Sequence, residues 1–247
     1  MTITGIIGGS GMNNSDMLEN PQKKEVITPY GKPSSPLTFG QIKGRDVVVI
    51  ARHGDKHQTT PSNVNNRANI SALKEHGVTS IIATTACGSL REEIKKGDFV
   101  IIDQFIDFTR LRKSTFFDSF ENGIEHTSMA DPFDADMRKM LFNTAKKLEI
   151  AVHKKGTVVT IEGPRFSTRA ESKMFRLLGG DVINMSIAPE VILANEAKIP
   201  YAAIAMSTDY DCWKEDEPEV KWEDVMVIFN KNVEHVINLI KNVIKEL

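Results

Sequence analysis

Cysteine, surplus basic charge and long apolar runs are all scarce in this chain of 247 residues. The two cysteines, Cys87 and Cys212, lie far apart and form no CxxC pair, which argues against a disulfide framework or a zinc site. A net charge of -2, with Lys and Arg scattered along the chain, argues against a nucleic-acid partner. No segment approaches the ~20 apolar residues of a membrane span, and no leader precedes the first strand. We therefore expect a soluble, cytoplasmic protein without a membrane partner.

Short apolar segments alternate with helical patterns and predict an α/β fold in one domain, residues 1–247. The expected strands are residues 3–7, 47–51, 81–86, 99–102, 157–161, 182–185 and 202–206. The expected helices are residues 62–76, 168–178, a segment beginning at Pro189, and 222–247. Thr168 and Glu171 have the spacing of a capping box. The helices are expected to pack on a buried sheet.

The segment 110–131 has the loosest pattern of the chain. Phe116, Phe117 and Phe120 lie there among polar residues. Apolar side chains in a loop indicate either a contact with another subunit or packing back on the same subunit.

Two carboxylates two residues apart, Asp209 and Asp211, follow the last apolar strand. In extended chain such residues point to the same side, and open α/β sheets place their sites at this end of the strands. The pair is therefore predicted to face one ligand, although a solvated turn also favours Asp.

Other strand ends carry polar groups that would meet the same ligand. Ser10 lies in a glycine-rich turn that suits either an anion site or a plain tight turn. Arg52 can bind phosphate or carboxylate with two nitrogens, and His53 beside it can add a donor, unless the two form a surface pair. Thr85 supplies a hydroxyl, whereas Cys87 is expected to be a small buried thiol.

Five segments together carry a resemblance to a known family. They are GIIGGSG at residues 5–11, ARHG at 51–54, TTACGSLREE at 84–93, TIEGPRFS at 160–167 and STDYDCW at 207–213. In this order they resemble the trimeric class of the purine nucleoside phosphorylase family, and within it the 5'-methylthioadenosine phosphorylases. The resemblance implies a single-domain nucleoside phosphorylase fold with a mixed central sheet flanked by helices, a homotrimer, and a role in purine and methionine salvage.

The resemblance also implies a role for each site residue. Phosphate attacks C1' of the ribose while the purine leaves, so phosphate is a co-substrate and neither a cofactor nor a metal is expected. The residues implied to bind phosphate are Ser10, Arg52, His53, Thr85, the backbone of Ala86, and Ser186. Met185 would lie against the ribose, and Phe166 beside the base. Asp209 would be the general acid at purine N7, and Asp211 would accept a hydrogen bond from the 6-amino group.

The 5' end of the nucleoside is implied to meet a further group of residues. These residues are Trp222, Val225, Met226, and His126 from a neighbouring subunit, and Ser167 is a further implied specificity residue. The chain stops at Leu247, short of the C-terminal extension of longer family members, and this raises the expectation of looser selectivity at the 5' position. A broader purine nucleoside phosphorylase, acting on adenosine or 6-oxopurine nucleosides, is the alternative function. A nucleoside-binding sensor without turnover is a rival from another class.

Overall fold

The structure is a computed structural model that describes residues 2–8, 17–121, 123–217 and 220–247. The strands are β1 Thr4–Gly8, β2 Glu19–Lys24, β3 Leu37–Ile42, β4 Arg45–Ala51, β5 Ser80–Ser89, β6 Phe99–Ile101, β7 Gln104–Phe108, β8 Val152–His153, β9 Thr157–Ile161, β10 Val182–Asn184 and β11 Tyr201–Asp209. The helices are α1 Asn66–Glu75, α2 Ala135–Lys147, α3 Arg169–Leu177, α4 Ile187–Glu196 and α5 Trp222–Glu246.

The strands form one mixed sheet in the order β2-β3-β4-β1-β5-β10-β9-β7, and β11 joins at β5. Strand β5 is parallel to β1 and β11 but antiparallel to β10. The sheet divides at the end of β5, because Gly88 pairs with Ile183 of β10 and also with Asp209 of β11. The mixed α/β fold expected from the sequence is confirmed, and the division of the sheet opens a cavity.

Helices cover both faces of the sheet. One buried cluster includes Ile70 of α1 and Val191 of α4 against the sheet, and the other includes Leu141 of α2 and Val236 of α5. The predicted terminal helix and the capping box of α3 are both confirmed, and the Thr168 side chain accepts from the backbone N–H of Glu171. None of the helices in the described residues is both long and apolar enough to span a membrane.

Several boundaries differ from the sequence prediction. Residues 62–76 do not form one helix: a single 3-10 turn, Pro61–Asn63, precedes α1, whose first turn is capped by Asn65. Helix α4 begins at Ile187, two residues before Pro189. Pro189 fits there because backbone nitrogens in the first turn of a helix donate no intrahelical hydrogen bond, so the missing N–H of proline costs nothing.

Some elements were missed altogether. These are β2, β3, β7, β8 and α2. Strand β2 is exposed and polar throughout, so it lacks the apolar pattern that marks a strand.

Candidate functional site

A cavity opens where the sheet divides, and most of the predicted site residues line it. The predicted residues at its wall are Arg52, His53, Thr85, Ala86, Phe166, Ser167, Met185, Ser186, Asp209, Asp211, Trp222, Val225 and Met226. Arg52, His53, Thr85 and Ser186 define what we call the arginine end. Asp209, Asp211 and Ser167 define the aspartate end.

The wall formed by the described residues does not account for two predicted residues. Ser10 lies outside the described residues. His126 is exposed in the segment 110–131, where its ring packs edge-on against Phe120 at 5.6 Å between centroids. The chain itself therefore does not bring His126 to the cavity.

Arg52 is buried at the end of β4, with 2 % of its surface exposed. Its Nε and Nη2 donate to the two carboxylate oxygens of Glu190, at 2.5 and 3.0 Å, and its Nη1 donates to the Thr84 carbonyl at 2.8 Å. Burial alone would lower the pKa of Arg52, but the Glu190 carboxylate more than offsets it, so the pKa is raised. The guanidinium is thus charged and held from behind, which rules out the surface pair considered from the sequence.

His53 follows in a turn and is held by the Thr59 carbonyl, 2.9 Å from its Nδ1. A carbonyl only accepts, so Nδ1 carries the proton of the neutral ring and Nε2 is left as an acceptor. Burial, and then the charge of Arg52, lower the pKa of His53 to about 4. The sequence predicted a donor at this position, whereas the neutral ring offers a ligand hydroxyl an acceptor.

Side chains from β5, β9 and the β10–α4 junction form one hydrogen-bonded group at the arginine end. The Thr85 and Ser186 hydroxyls lie 3.1 Å apart, and Asn184 donates to Thr85 at 3.2 Å. Asn184 is itself held by the Thr160 hydroxyl, which donates to its Oδ1 at 2.8 Å. Asn184 also lines the cavity and was not among the predicted site residues, although it is the polar residue that ends an apolar strand.

Asp209 ends β11 at the opposite side of the cavity. Its Oδ1 accepts from the Asp211 backbone N–H at 2.8 Å, and its Oδ2 lies 2.8 Å from the Thr208 hydroxyl. That hydroxyl also lies 3.1 Å from the Cys87 carbonyl, and it has one proton to share between the two. Burial is the largest effect and raises the pKa of Asp209, whereas the hydrogen bonds from Thr208 and from the Asp211 backbone N–H lower it.

Asp211 reaches the cavity by a route that the sequence did not predict. It is not extended but lies in a turn with φ of 50°, so the expected alternation along a strand is wrong for this pair. The left-handed turn, in which Asp is tolerated, brings the second carboxylate to the same cavity as the first. Asp209 and Asp211 therefore line one cavity, as expected, but through a turn and not through alternation along a strand.

Several buried polar atoms around Asp211 have no hydrogen-bond partner among the described residues. They include Asp211 Oδ2 and the hydroxyl oxygens of Ser167 and Ser172. Burial is the largest effect and raises the pKa of Asp211, and the charge of Asp209 raises it further. The Ser172 and Ser167 hydroxyls lower it, because they lie close to the carboxylate although neither makes a well-aligned hydrogen bond to it. Buried polar atoms without partners are costly, so the aspartate end is arranged to receive a polar ligand.

Gly88 of β5 lies directly against the Asp209 carboxyl. A Cβ added at this glycine would lie 2.8 Å from Asp209 Oδ1 and 3.1 Å from Ile183 Cγ2. The absence of a side chain therefore fixes how closely the Asp209 carboxyl approaches β5. Cys87, next to it, is fully buried with a raised pKa, as expected for a small core thiol.

The remaining wall is apolar and aromatic. Trp222, Val225 and Met226 come from the first turns of α5, and the Trp222 ring lies 5.6 Å from that of His57. Phe166 is 42 % exposed at the rim. Among the described residues, no three His, Cys, Asp or Glu side chains cluster as ligands for a metal ion.

Comparisons with known proteins agree with this geometry. The model of the phosphorylase superfamily matches residues 3–245. The S-methyl-5'-thioadenosine phosphorylase of Xenopus tropicalis is 53% identical over 247 residues, covering 98% of this chain and 88% of that protein. Its counterpart in Thermofilum pendens is 49% identical over 243 residues, covering 98% of this chain and 91% of that protein.

Solved structures show the same fold. Methylthioadenosine phosphorylase from Schistosoma mansoni in complex with adenine has a TM-score of 0.94 and 40% identity, covering 99% of this chain and 91% of that one. A mutant of the adenosine/methylthioadenosine phosphorylase from the same organism, in complex with methylthioadenosine, has a TM-score of 0.92 at 40% identity, with the same coverage of both chains. With a family model matched over nearly its whole length and relatives about half identical, the chain belongs to the phosphorylase superfamily.

Proposed function

We propose that this protein catalyses the phosphorolysis of 5'-methylthioadenosine to adenine and 5-methylthioribose 1-phosphate. One observation carries the proposal: a single cavity has a buried arginine with clustered hydroxyls at one end and two buried carboxyls with raised pKa at the other. The relatives named for this reaction support the choice of substrate.

The arginine end binds the co-substrate phosphate in this proposal. Arg52 supplies the positive charge, while Thr85 and Ser186 supply hydroxyls and Ala86 a backbone N–H. Neutral His53 accepts from the hydroxyl of hydrogen phosphate, which orients an unprotonated oxygen toward the sugar. Ser10, outside the described residues, completes the proposed set. Phosphate is a co-substrate in this reaction, and no cofactor is proposed.

The reaction exchanges one bond at C1' for another. A phosphate oxygen forms a bond to C1' while the bond from C1' to purine N9 breaks, and its electron pair moves into the purine ring. The purine becomes basic at N7 as it leaves. Asp209 donates its proton there, so the base departs as neutral adenine and Asp209 remains as a carboxylate. The raised pKa of Asp209 supports this role as general acid.

Asp211 selects the base in this proposal. Its Oδ2 is buried without a partner among the described residues, and an unprotonated carboxyl oxygen can only accept a hydrogen bond. The 6-amino group of adenine is a donor, whereas the 6-oxygen of hypoxanthine is an acceptor that would face Asp211 without a hydrogen bond. Ser167 and Phe166 are proposed to border the base, and Met185 the ribose.

The apolar start of α5 is the proposed site of the methylthio group, with Trp222, Val225 and Met226 around the sulfur. His126 is proposed to reach the same position from a neighbouring subunit, since its own chain leaves it exposed. This arrangement requires a homotrimer or another closed oligomer. A cytoplasmic enzyme of purine and methionine salvage fits such a substrate.

One assay tests the proposed function. The purified protein is incubated with 5'-methylthioadenosine, adenosine or inosine, with and without phosphate, and the free base is measured. We expect adenine from methylthioadenosine in the presence of phosphate only. Faster release of hypoxanthine from inosine would favour the broader phosphorylase, and no release of any base would favour the sensor.

A further inference from the structure

Two buried side chains, Glu190 and Tyr201, lie behind the arginine end. Glu190, in the first turn of α4, has no exposed surface, and Tyr201, at the start of β11, has 1 %. The Tyr201 hydroxyl donates to Glu190 Oε2 at 2.8 Å, and the same oxygen accepts from Arg52 Nη2 at 3.0 Å. Neither Glu190 nor Tyr201 lines the cavity.

The Arg52 guanidinium is held by hydrogen bonds within the protein. Its bonds to Glu190 and to the Thr84 carbonyl use three of the five N–H groups, so at most two are left for an anion. The planar fork cannot rotate without breaking the paired bonds to Glu190. Glu190 is fixed in turn by Tyr201, whose ring packs against Phe133 with centroids 6.0 Å apart.

We infer that Glu190 and Tyr201 are positioning residues for phosphate, which hold Arg52 so that its remaining N–H groups meet the anion in one orientation. The inference rests on the proposed function, because it assigns phosphate to the arginine end. Neither residue touches the substrate in this account. Their effect is therefore expected in the binding of phosphate and not in the binding of the nucleoside.

A competing role for Glu190 makes the opposite prediction. If its carboxylate only cancelled the charge of Arg52, its removal would leave a buried cation, and phosphate would bind more tightly. Glu190→Asp separates the two roles, because it keeps the charge but is one methylene shorter. A positioning role is lost in this variant, whereas charge cancellation is retained.

The experiment compares Glu190→Asp, Glu190→Gln and Tyr201→Phe with the wild type. Glu196→Gln is the matched control, since Glu196 ends the same helix and accepts from the Phe116 backbone N–H, away from Arg52. The KM for phosphate is measured at saturating methylthioadenosine, and the KM for methylthioadenosine at saturating phosphate. Calorimetry measures phosphate affinity without turnover, and thermal unfolding reports whether each variant is folded.

We expect both Glu190 variants to raise the KM for phosphate about tenfold, the size of one lost charge-assisted bond. Tyr201→Phe, which removes one hydroxyl, is expected to raise it about threefold. The KM for methylthioadenosine and the phosphate KM of Glu196→Gln should both stay within about twofold of the wild type, as for changes away from the phosphate contacts.

Three results would overturn the inference. They are a wild-type phosphate KM in Glu190→Asp, tighter phosphate binding in Glu190→Gln, or an equal rise of both KM values in every variant. If the Glu190 variants do not fold, an unchanged phosphate KM in Tyr201→Phe overturns it alone. A wild type that binds phosphate but releases no base would instead contradict the proposed function, and calorimetry would still test the positioning role.

Discussion

The two ends of the cavity differ in whether their polar groups already have hydrogen-bond partners within the described part of the protein. At the arginine end Arg52 and His53 are already bound by the protein, through Glu190 and the Thr59 carbonyl. At the aspartate end Asp211 Oδ2 and the Ser167 hydroxyl are buried without partners in the described part of the chain. The first arrangement fixes donors and charge in advance, and the second leaves polar atoms for the ligand to satisfy. Catalysis and base selection are therefore expected to depend on the aspartate end, and anion binding on the arginine end.

The largest effect is expected from removing the acid. Asp209→Ala should lower kcat about 1,000-fold, within the range for loss of a general acid, because no group then protonates the leaving base. The KM for phosphate should change little, since Asp209 lies at the other end. Steady-state kinetics with both substrates measures the two parameters.

Asp209→Asn serves as the control, because an amide can donate a hydrogen bond but not a proton. It should recover only part of the lost rate. Turnover of Asp209→Ala at the wild-type rate would contradict the role of Asp209 as general acid.

The pH dependence of kcat should report the titration of Asp209. Because the pKa of Asp209 is raised, its acid form persists above the usual range for aspartate, and kcat should fall as the pH rises through that pKa. This alkaline fall should be absent from the residual activity of Asp209→Asn. If the variant keeps the same fall, another group is responsible for it.

A change of base selectivity is expected from Asp211→Asn. An amide can donate to a 6-oxygen, so the ratio of kcat/KM for inosine to that for adenosine should rise about 100-fold, short of the largest discrimination by buried polar groups. Asp211→Ala is the control, because it removes the acceptor without adding a donor. An unchanged ratio in Asp211→Asn would show that this residue does not read the base.

A smaller effect is expected from Gly88→Ala. The added Cβ would lie 2.8 Å from Asp209 Oδ1, so the carboxyl must move, and a displacement of this kind should lower kcat about 10–100-fold. A double-mutant cycle gives the control. In the Asp209→Ala background, Gly88→Ala should have almost no further effect, since both changes act through the same group. If the losses in kcat from the two substitutions were additive, Gly88→Ala would act through a group other than Asp209.

The smallest effect is expected on anion binding at the arginine end when the pH is lowered. With its pKa lowered to about 4, His53 should stay neutral from pH 7.5 to 5.5, whereas an ordinary histidine would gain a proton. Sulfate keeps its charge over this range, so its inhibition constant against phosphate should change by less than about twofold. A clear tightening of sulfate binding below pH 6.5 that disappears in His53→Asn would mean that His53, and not the neighbouring His57, titrates normally.

The low pKa of His53 also has a consequence for stability. The unfolded chain binds this proton near pH 6.5, but the folded protein binds it only near pH 4. The free energy of unfolding should therefore lose this contribution as the pH falls between those values, and the contribution should be fully present above them. Denaturant unfolding of the wild type and His53→Asn, compared across this range, measures the difference.

The sequence predicted the aspartate end better than the arginine end. Asp209 and Asp211 stand out because two carboxylates follow a buried strand, although the turn at Asp211 was not visible in the pattern. The partners of Arg52 could not be found in this way. Glu190 lies within an ordinary helical pattern, and it meets Arg52 only because the fold joins residues 138 positions apart.

The same distinction holds for the fold. Strands with continuous apolar runs, such as β5 and β11, were predicted because burial on both faces leaves a clear pattern. The exposed edge strand β2 and the two-residue β8 carry no such pattern, and pairing with their neighbours defines them. The division of the sheet at Gly88 depends on contacts between distant strands, so local sequence cannot predict it.

The most direct test of the account is the stoichiometry of the reaction with 5'-methylthioadenosine. Adenine, methylthioribose 1-phosphate and remaining phosphate are measured together over one time course. We predict one adenine and one sugar phosphate for each phosphate consumed, and no adenine when phosphate is omitted. Release of adenine without phosphate would show hydrolysis and would contradict the account.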